Sequence, residues 1–359
     1  MHILLLTRYG RLGASSRLRS LQYIPYLREQ GIDVTDSPFL SDQYLKTLYR
    51  GRRGIEFALD GLIRRLRALV HSRNFNVLWV EKELLPWLPY WIERLLLRNG
   101  LPLVVDYDDA IFHNYDLNSS PIVRSILGTK IARVMARASL VTVGNQYLGG
   151  YAERAGSKRV EILPTAIDLA RYPPRKSEQD GDVNIGWIGS PSTSQYLYQV
   201  SNALTRVCRE SRARVVLVGS GPMRLEGVPV QVQDWLEETE QDQVAAFDIG
   251  IMPLPDGPWE RGKCGYKLIQ YMACGKPVIA SPVGVNCEIV EHGRNGFLAA
   301  TEDEWVKYLR ILVSDRELRL SMGAEGRSKV EKMYSLQATA PLLAGWLREV
   351  AETNRTRSR

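Results

Sequence analysis

A glycine-rich basic segment, residues 259–284, contains side chains suited to hold an anion. Lys263 and Lys267 are one helical turn apart and Gln270 follows one turn later, so all three are expected on one side of a helix. Positive charge near a helix N-terminus attracts phosphate, and an amide side chain can hydrogen-bond sugar hydroxyls. The pattern therefore indicates a site for a phosphorylated ligand, and a solvated basic helix end is its alternative.

A second candidate anion site follows the first apolar run. Gly10 and Gly13 let the backbone approach a ligand closely, and Ser15 or Ser16 can cap the helix that follows. Arg17 adds a forked guanidinium suited to phosphate or carboxylate. The spacing differs from the dinucleotide-binding and Walker patterns, so ordinary turn chemistry is the alternative.

Two more loops of small residues follow later apolar runs. One contains Gly189 and Ser190, and the other begins at Gly219. A single loop of this kind is weak evidence. Three of them at the carboxyl ends of strands in two domains favour a ligand that carries phosphate.

Acidic residues end one of the predicted strands, where Asp106 is followed by Tyr107, Asp108 and Asp109. Carboxylates this close together repel one another unless they bind a cation or hydrogen-bond donors. Three interpretations stay open, namely contact of Asp108 or Asp109 with substrate hydroxyls, structural capping, and a metal site.

Short apolar runs alternate with longer amphipathic segments through most of the chain. The runs predict strands at 3–7, 32–35, 77–81, 101–106, 140–143, 183–188, 214–218, 230–232, 249–252 and 277–280. The amphipathic segments predict helices at 15–30, 89–98, 122–138, 194–210, 266–273, 304–313, 317–333 and 341–353. Strands that are apolar throughout and alternate with helices indicate parallel sheets covered on both faces.

This alternation predicts an α/β chain of two doubly wound domains that face a central cleft. A length of 359 residues supports two domains. A polar stretch with prolines at 163–181 predicts the linker. The expected domains are 1–165 and 166–340, with 341–359 as a final helix and a frayed tail.

Composition narrows the class of protein. The chain is 45% hydrophobic and 24% charged, as in globular proteins, and its net charge of +7 indicates an anionic partner. No apolar run approaches the roughly 18 residues of a membrane span, so we expect a cytoplasmic protein or one peripheral on the inner membrane face. The four cysteines lack Cys-x-x-Cys spacing and the four histidines lie far apart, which disfavours a disulfide framework and a histidine-rich metal site.

Residues 265–281 and the Pro-Val-Gly that follows them resemble the donor-binding segment of retaining GT-B glycosyltransferases of family four, also called group one. Residues 219–222 are similar to the Gly-x-Gly-Pro turn of that family, residues 10–17 to its N-terminal glycine loop, and residues 292–298 to its His-Gly-x-x-Gly turn. The resemblance covers nearly the whole chain. It implies two Rossmann-like domains, an N-terminal one for the acceptor and a C-terminal one for a nucleotide-sugar donor, with a final helix that crosses back to the first.

Two positions depart from the family pattern, which usually contains Glu-x7-Glu in this segment. The second position, which contacts the donor ribose in the family, is Gln270. The first is Gly262, and Glu260 two residues earlier is the candidate replacement for its carboxylate. The second domain also lacks the usual Arg and Lys after its first strand, so the resemblance implies that Lys263 and Lys267 hold the donor diphosphate.

The residue chemistry and the resemblance together give the expected site. The catalytic candidates are Asp108, Asp109, Lys263 and Lys267. The donor-binding candidates are Gly13, Arg17, Gly189, Ser190, Gly219, Trp235, Glu260, Gly265, Tyr266 and Gln270, where Trp235 either borders the nucleotide base or packs in the core. The acceptor-binding candidates are Gly10, Ser15 and Ser16. The resemblance implies no metal ion and no cofactor, with the nucleotide-diphosphate sugar as substrate.

The expected activity is that of a retaining glycosyltransferase, which moves a sugar from a nucleotide-diphosphate sugar to a hydroxyl of a sugar or lipid-linked sugar in polysaccharide or glycolipid assembly. The alternatives are a non-catalytic partner subunit that binds a nucleotide sugar, and a sugar-nucleotide epimerase or a phosphorylase on a similar scaffold. A nucleic-acid partner is disfavoured because the arginines are scattered.

Two arginine clusters in the first domain have two interpretations. They are either a basic face that contacts anionic lipid or a solvated helix surface. The clusters are Arg50, Arg52 and Arg53, and Arg64, Arg65 and Arg67.

Overall fold

The computed structural model describes residues 1–49, 55–97, 100–173 and 181–357. These divide into two compact units. The first comprises Met1–Thr165, Gly262–Cys264 and Thr339–Arg359, and the second comprises Ala166–Arg261 and Gly265–Ala338. The predicted domain bounds put Gly262–Cys264 in the second domain, whereas this segment belongs to the first unit. The central part of the predicted linker, residues 174–180, lies outside the described residues.

The first unit is built on a six-stranded sheet in which every pairing is parallel. Its strands are β1 (His2–Leu6), β2 (Asp33–Asp36), β3 (Val77–Glu81), β4 (Leu103–Tyr107), β5 (Leu140–Val143) and β6 (Val160–Ile162), in the order β2-β1-β3-β4-β5-β6. β3, β4 and β5 are buried along their whole length, because helices cover both faces of such a sheet. The order reverses at β1 and β3, and ligands bind at the carboxyl ends of strands next to such a reversal.

The helices of the first unit are shorter than the amphipathic pattern predicts. They are α1 (Ala14–Arg19), α2 (Ile24–Glu29), α3 (Asp42–Tyr49), α4 (Ile55–Val70), α5 (Tyr90–Leu96), α6 (His113–Asp116), α7 (Pro121–Leu127), α8 (Lys130–Arg137) and α9 (Gln146–Arg154). The single helix predicted at 15–30 is divided because Ser20 leaves the helical conformation, at φ −137° and ψ −53°. The one predicted at 122–138 is two helices, since α7 ends at Leu127 and α8 begins at Lys130.

The second unit is built on a second six-stranded parallel sheet. Its strands are β7 (Val183–Ile188), β8 (Ala213–Val218), β9 (Val230–Gln233), β10 (Ile249–Met252), β11 (Val278–Ala280) and β12 (Gly296–Leu298), in the order β12-β11-β10-β7-β8-β9. This is the strand order of the dinucleotide-binding doubly wound fold. The predicted pair of doubly wound α/β domains is therefore confirmed, with the reversal at β7 and β10 in this unit.

The remaining helices are α10 (Pro191–Ser194), α11 (Ser201–Glu210), α12 (Glu240–Ala245), α13 (Pro258–Arg261), α14 (Tyr266–Ala273), α15 (Asn286–Ile289), α16 (Glu302–Ser314), α17 (Arg316–Lys329) and α18 (Leu336–Arg357). α14 has the predicted bounds. The helix predicted at 194–210 is wrong in its first half, where Gln195–Val200 is a 3-10 turn. α18 begins at Leu336 rather than at Pro341, so the proline lies inside the helix, where it cannot donate a backbone hydrogen bond.

The second arginine cluster is not a uniformly exposed surface. Arg65 is 1% exposed; its Nη2 donates to the Thr7 carbonyl at 2.8 Å, and its guanidinium lies 5.6 Å from the Phe39 ring. Burial lowers the pKa of Arg65 to about 9. Its assignment to a lipid-facing or solvated surface is therefore wrong. Arg50, Arg52 and Arg53, together with the last tail residues 358–359, lie outside the described residues. Within the described part of the chain, no helix has the length and apolarity needed to cross a bilayer.

Candidate active site

The acidic residues at the end of β4 do not form one cluster of three carboxylates. Asp106 is buried and pairs with Arg19, whose Nε and Nη2 donate to its two oxygens at 2.9 and 2.7 Å. The Thr142 hydroxyl also donates to Asp106, at 2.6 Å. Because its oxygens are bound inside the unit, Asp106 stabilises the sheet, while Asp108 and Asp109 contact other residues.

Asp108 is held by a cation from the end of β3. The Lys82 Nζ lies 3.0 Å from Asp108 Oδ1, and the Ser15 hydroxyl donates to Oδ2 at 2.5 Å. Burial would raise the pKa of the Asp108 carboxyl, but Lys82, Arg19 and Ser15 outweigh it and keep that pKa below its usual value. Burial disfavours the Lys82 ammonium, yet Asp108 and Asp109 raise its pKa above the usual value. Both groups are therefore ionised at neutral pH.

Glu81, the last residue of β3, is a second buried carboxylate beside Asp108. Its oxygens accept hydrogen bonds from Ser15 Oγ at 3.0 Å, Ser16 Oγ at 2.5 Å and the Arg8 N–H at 3.1 Å. Burial raises the pKa of Glu81 and the Asp108 charge adds to this, with Lys82 opposing. The two serines therefore bind carboxylates. The prediction that one of them caps α1 is wrong, since the N-cap is Gly13 and no side chain caps that helix.

The predicted phosphate-binding Lys263 lies beside Asp109 in the first unit. Its Nζ is 4.0 Å from Asp109 Oδ1, while the Lys82 Nζ is 3.9 Å from Asp109 Oδ2. The Asn145 Nδ2 donates to the carbonyls of Gly262 and Lys263, at 3.0 and 2.9 Å, and so fixes the backbone of this segment.

Lys263 does not share a helix with Lys267. α14 begins at Tyr266, and its N-cap Gly265 has φ +65°, so the chain turns sharply between the two lysines. The predicted common helical side for Lys263, Lys267 and Gln270 is therefore wrong.

The other candidates from the first loop have structural contacts. The Gly10 N–H donates to the Leu40 carbonyl at 3.1 Å. Arg17 is 5% exposed, and its Nη1 donates to the Arg11 carbonyl at 3.1 Å. A Cβ on Gly13 would lie 2.4 Å from Tyr9 Cβ, so this glycine permits close packing within the loop.

In the second unit, two glycines at strand ends permit close packing of the loops that follow β7 and β8. A Cβ on Gly219, which has φ +73°, would lie 2.4 Å from the Gly189 carbonyl oxygen and 3.0 Å from Trp235 Cβ. A Cβ on Gly189 would lie 2.5 Å from the Trp187 ring and 2.9 Å from Lys267 Cε. The Lys267 ammonium lies 5.4 Å from the centre of the Trp187 ring. The structure thus brings together Gly189, Gly219, Trp235 and Lys267 at the carboxyl edge of the second sheet.

A hydrogen-bonded chain links Trp235 to Gln270. The Trp235 Nε1 donates to Glu240 Oε2 at 2.6 Å, and the Tyr172 hydroxyl donates to Glu240 Oε1 at 2.6 Å. Gln270 Nε2 donates to the Tyr172 hydroxyl at 3.3 Å. Gln270 is 4% exposed, so its amide packs inside the unit, and its contact with the donor ribose stays a prediction.

The remaining donor-site candidates lie on short segments of the second unit. Glu260 on α13 accepts a hydrogen bond from the Tyr196 hydroxyl at 2.6 Å. The Ser190 hydroxyl lies 2.9 Å from the Ser192 hydroxyl, at the start of α10. Tyr266 is half-buried and packs against the apolar core of the unit.

Residue chemistry alone missed Glu81, Lys82, Arg19 and Asn145. A usable signal was present, because Glu81 and Lys82 are charged residues that directly end a buried strand at the point where the strand order reverses. Among the described residues, no group of three His, Cys, Asp or Glu side chains is arranged to hold a metal ion. The expectation of a metal-free reaction stays a prediction.

With two Rossmann-like units, the fold is that of the GT-B glycosyltransferases. Sucrose-phosphate synthase from Thermosynechococcus elongatus superposes with a TM-score of 0.74 at 14% identity, covering 98% of this chain and 100% of that chain. Anabaena HepE, solved in complex with UDP-glucose, superposes with a TM-score of 0.72 at 18% identity, covering 97% of this chain and 100% of that chain. At these identities the likeness concerns the fold.

Sequence comparison shows which proteins the chain is similar to. Residues 182–315 match the family Glycosyl transferases group 1. Sulfoquinovosyl transferase SQD2 of Arabidopsis thaliana is 28% identical over 172 residues, which is 45% of this chain and 32% of that protein. N-acetyl-alpha-D-glucosaminyl L-malate synthase of Bacillus anthracis is 28% identical over 142 residues, which is 38% of this chain and 37% of that protein. The matches span about a third of the length of these relatives. Within residues 182–315 the chain is similar to the group 1 glycosyltransferases.

Proposed function

We propose that the protein transfers a sugar from a nucleotide-diphosphate sugar to a hydroxyl of a sugar or lipid-linked acceptor, with retention of anomeric configuration, in glycan assembly. The observation that carries the proposal is the position of Lys267 beside Gly189, which directly follows β7 at the point where the strand order of the second sheet reverses. Support also comes from the family match and from HepE, a structural neighbour solved with UDP-glucose.

Lys267 is proposed to stabilise the departing nucleoside diphosphate. It lies in the first turn of α14, where the helix dipole is already positive and where no acidic residue is present. A cation at this position does not favour the helix itself, so an anionic ligand explains it better than helix stability does. Lys263 is also proposed to bind phosphate, as the family resemblance implies.

Asp108 and Asp109 are proposed to orient the acceptor hydroxyl, because Lys82 keeps Asp108 ionised and able to accept a hydrogen bond. In the proposed reaction, the bond from the anomeric carbon to the phosphate oxygen breaks and the bond to the acceptor oxygen forms on the same face. The acceptor proton passes to the leaving phosphate oxygen. This route needs no protein nucleophile and no metal ion, and the cations stabilise the charge that develops.

Contact with a membrane surface is part of the proposal. Leu59, Ile63, Leu66 and Val70 on α4 are exposed, and their spacing places them along one face of the helix. An apolar stripe of this kind can bury itself in the headgroup region when cations flank it, and Arg67 lies within the same stretch. Flotation with anionic vesicles tests this part, and the double variant Leu59→Ser/Ile63→Ser should then float less than the wild type.

The activity is tested with a panel of nucleotide sugars and sugar acceptors, in the presence of a metal chelator. Lys267→Ala should lower the transfer rate by about a hundredfold, as is typical when one charge-stabilising group is removed. The matched control is Lys307→Ala, because Lys307 also lies over an aromatic ring, 5.3 Å from the centre of Tyr308.

NMR of the product gives the anomeric configuration. Donor binding without any transfer would instead identify a non-catalytic subunit, and equal rates for both variants would contradict the assignment of Lys267.

A further inference from the structure

The segment 82–87 has an unusual backbone. Within the part of the chain that the structure describes, Lys82 and Trp87 are the non-glycine residues with positive φ, at +66° and +65°. This conformation is unfavourable for a residue with a Cβ, and for a bulky one it is a marked outlier. Such backbone strain persists only where the surroundings impose it, and it is concentrated at functional sites.

Buried contacts impose this conformation. Glu83 accepts hydrogen bonds from the Arg8 guanidinium at 2.8 Å, the Tyr115 hydroxyl at 2.8 Å and the Lys130 ammonium at 2.7 Å. Lys130 also donates to the Leu85 carbonyl at 2.6 Å. The residues from 81 to 86 are buried, and Trp87 is the first exposed residue after them. The segment is therefore a rigid support that ends in an exposed indole.

The indole of Trp87 is fixed although it is 49% exposed. The edge of Phe39 contacts it at a centroid distance of 6.1 Å, and the Arg8 guanidinium lies 5.3 Å from its ring. The backbone N–H of Trp87 donates to the Tyr115 hydroxyl at 3.2 Å, which fixes the main chain that carries the indole. Rigid aromatic side chains of this kind offer contact area at a low cost in conformational entropy.

The same arginine connects Trp87 to the carboxylates of the candidate active site. The backbone N–H of Arg8 donates to Glu81 Oε2 at 3.1 Å, while its guanidinium lies over the indole. Glu81 and Asp108 share the Ser15 hydroxyl. Within the first unit, Arg8 thus contacts a carboxylate of the candidate site through its backbone and the exposed indole through its side chain.

We propose that Trp87 is the platform on which a sugar ring of the acceptor stacks, next to the carboxylates that orient its hydroxyl. The apolar C–H face of a pyranose packs against an indole, and the strained, buried segment keeps the indole in place for it. This inference rests on the proposed function, because it assigns the acceptor a sugar ring at the site of transfer.

The test is saturation-transfer NMR with the methyl glycosides of glucose, N-acetylglucosamine and glucuronic acid, in the presence of UDP. Trp87→Gly removes the indole while glycine accepts the positive φ, so folding is preserved. The matched control is Trp91→Ala, because Trp91 is also exposed, at 61%, but lies on α5. At least one glycoside should bind the wild type and Trp91→Ala, and its affinity for Trp87→Gly should fall about fivefold, with Trp87→Phe in between.

Unchanged affinity in Trp87→Gly, an equal loss in Trp91→Ala, or no binding of any glycoside to the wild type would each overturn the proposal. Thermal stabilisation by UDP is measured on the same variants. Stabilisation by UDP should be the same in Trp87→Gly as in the wild type. If UDP does not stabilise the wild type, the result counts against the proposed function and not against the role of Trp87.

Discussion

The ammonium of Lys82 lies 3.0 Å from Oδ1 of Asp108, and their side chains are only 8% and 13% exposed. Lys82 reaches this position with a backbone φ of +66°, directly after the last residue of β3. The ion pair with buried Asp108 therefore depends on the strained backbone conformation of Lys82. Since an uncompensated buried charge is costly, neither residue can be replaced alone without a large effect.

Replacing Lys82 by methionine should destabilise the protein by about 3 to 5 kcal/mol, because Asp108 would remain buried without its cation. Chemical denaturation measures the change, and the double variant Lys82→Met/Asp108→Asn should recover part of it. The control is Lys329→Met, which breaks the more exposed pair with Glu291, 2.8 Å long, and should cost about 1 kcal/mol or less. Equal losses in Lys82→Met and the control would show that the buried pair has no special role.

Glu81→Gln should stabilise the protein at neutral pH while it lowers transfer activity. Burial raises the pKa of Glu81 in the folded state, so the folded protein binds the proton more tightly than the unfolded chain does. The wild type therefore loses stability as the pH rises from the unfolded pKa through the folded one. The neutral amide avoids this loss of stability. The loss is on the order of 1 kcal/mol for each unit by which the pKa differs between the folded and unfolded states.

Asp108→Asn should destabilise the protein at neutral pH, in contrast to Glu81→Gln, because the pKa of Asp108 is lowered in the folded state. The stability that Asp108 contributes is complete above its unfolded pKa and is lost as the pH falls through the folded one. Denaturation of the wild type and of both variants between acidic and neutral pH measures how the free energy of unfolding changes with pH in each protein. A pH profile that Glu81→Gln leaves unchanged would contradict the assignment.

If the proposed nucleotide site is correct, Gly219→Ala should weaken binding of UDP, because the added Cβ would lie 2.4 Å from the Gly189 carbonyl oxygen and would displace the loop after β7. Its matched control is Gly275→Ala. Gly275 has a similar φ of +68°, but a Cβ there would meet no atom within 4 Å. Both variants should lose about 1 to 2 kcal/mol from the left-handed backbone conformation. Calorimetric titration with UDP separates them, and equal binding by the two would exclude the loops after β7 and β8 as the nucleotide site.

Asn145→Asp should release the segment that contains Lys263 without destroying the cap of α9. The Asn145 Oδ1 accepts from the Leu148 N–H at 3.0 Å, and aspartate can do the same. Aspartate lacks the amide donors that bind the carbonyls of Gly262 and Lys263. Trypsin should therefore cleave faster after Lys263, and transfer activity should fall.

The control for this variant is Asp315→Ala, which removes the N-cap of α17, where Oδ1 accepts from the Leu318 N–H at 2.9 Å. It should lower stability by about 1 kcal/mol and leave cleavage after Lys263 unchanged. Faster cleavage in both variants would indicate general destabilisation rather than release of the segment.

Much of the fold was predictable because it depends on local patterns. The apolar run 249–252 and the amphipathic stretch 266–273 gave the bounds of β10 and α14 directly. Helix ends were less predictable, since the break at Ser20 between α1 and α2 is set by packing rather than by periodicity. The prediction that Gly189 and Gly219 follow strands is confirmed, whereas the prediction that Lys263 and Lys267 share a helix is wrong because the chain turns at Gly265.

The amino-acid sequence by itself determined the two doubly wound sheets, the glycines at their strand ends and the acidic end of β4, because each follows from the types of neighbouring residues. Only the tertiary structure decided which partners those acids have. Ser15 and Asp108 are 93 residues apart in the chain, and Arg19 and Asp106 are 87 apart. These pairs form because β1, β3 and β4 are adjacent in the sheet, and that adjacency results from burial of the whole unit rather than from any local pattern.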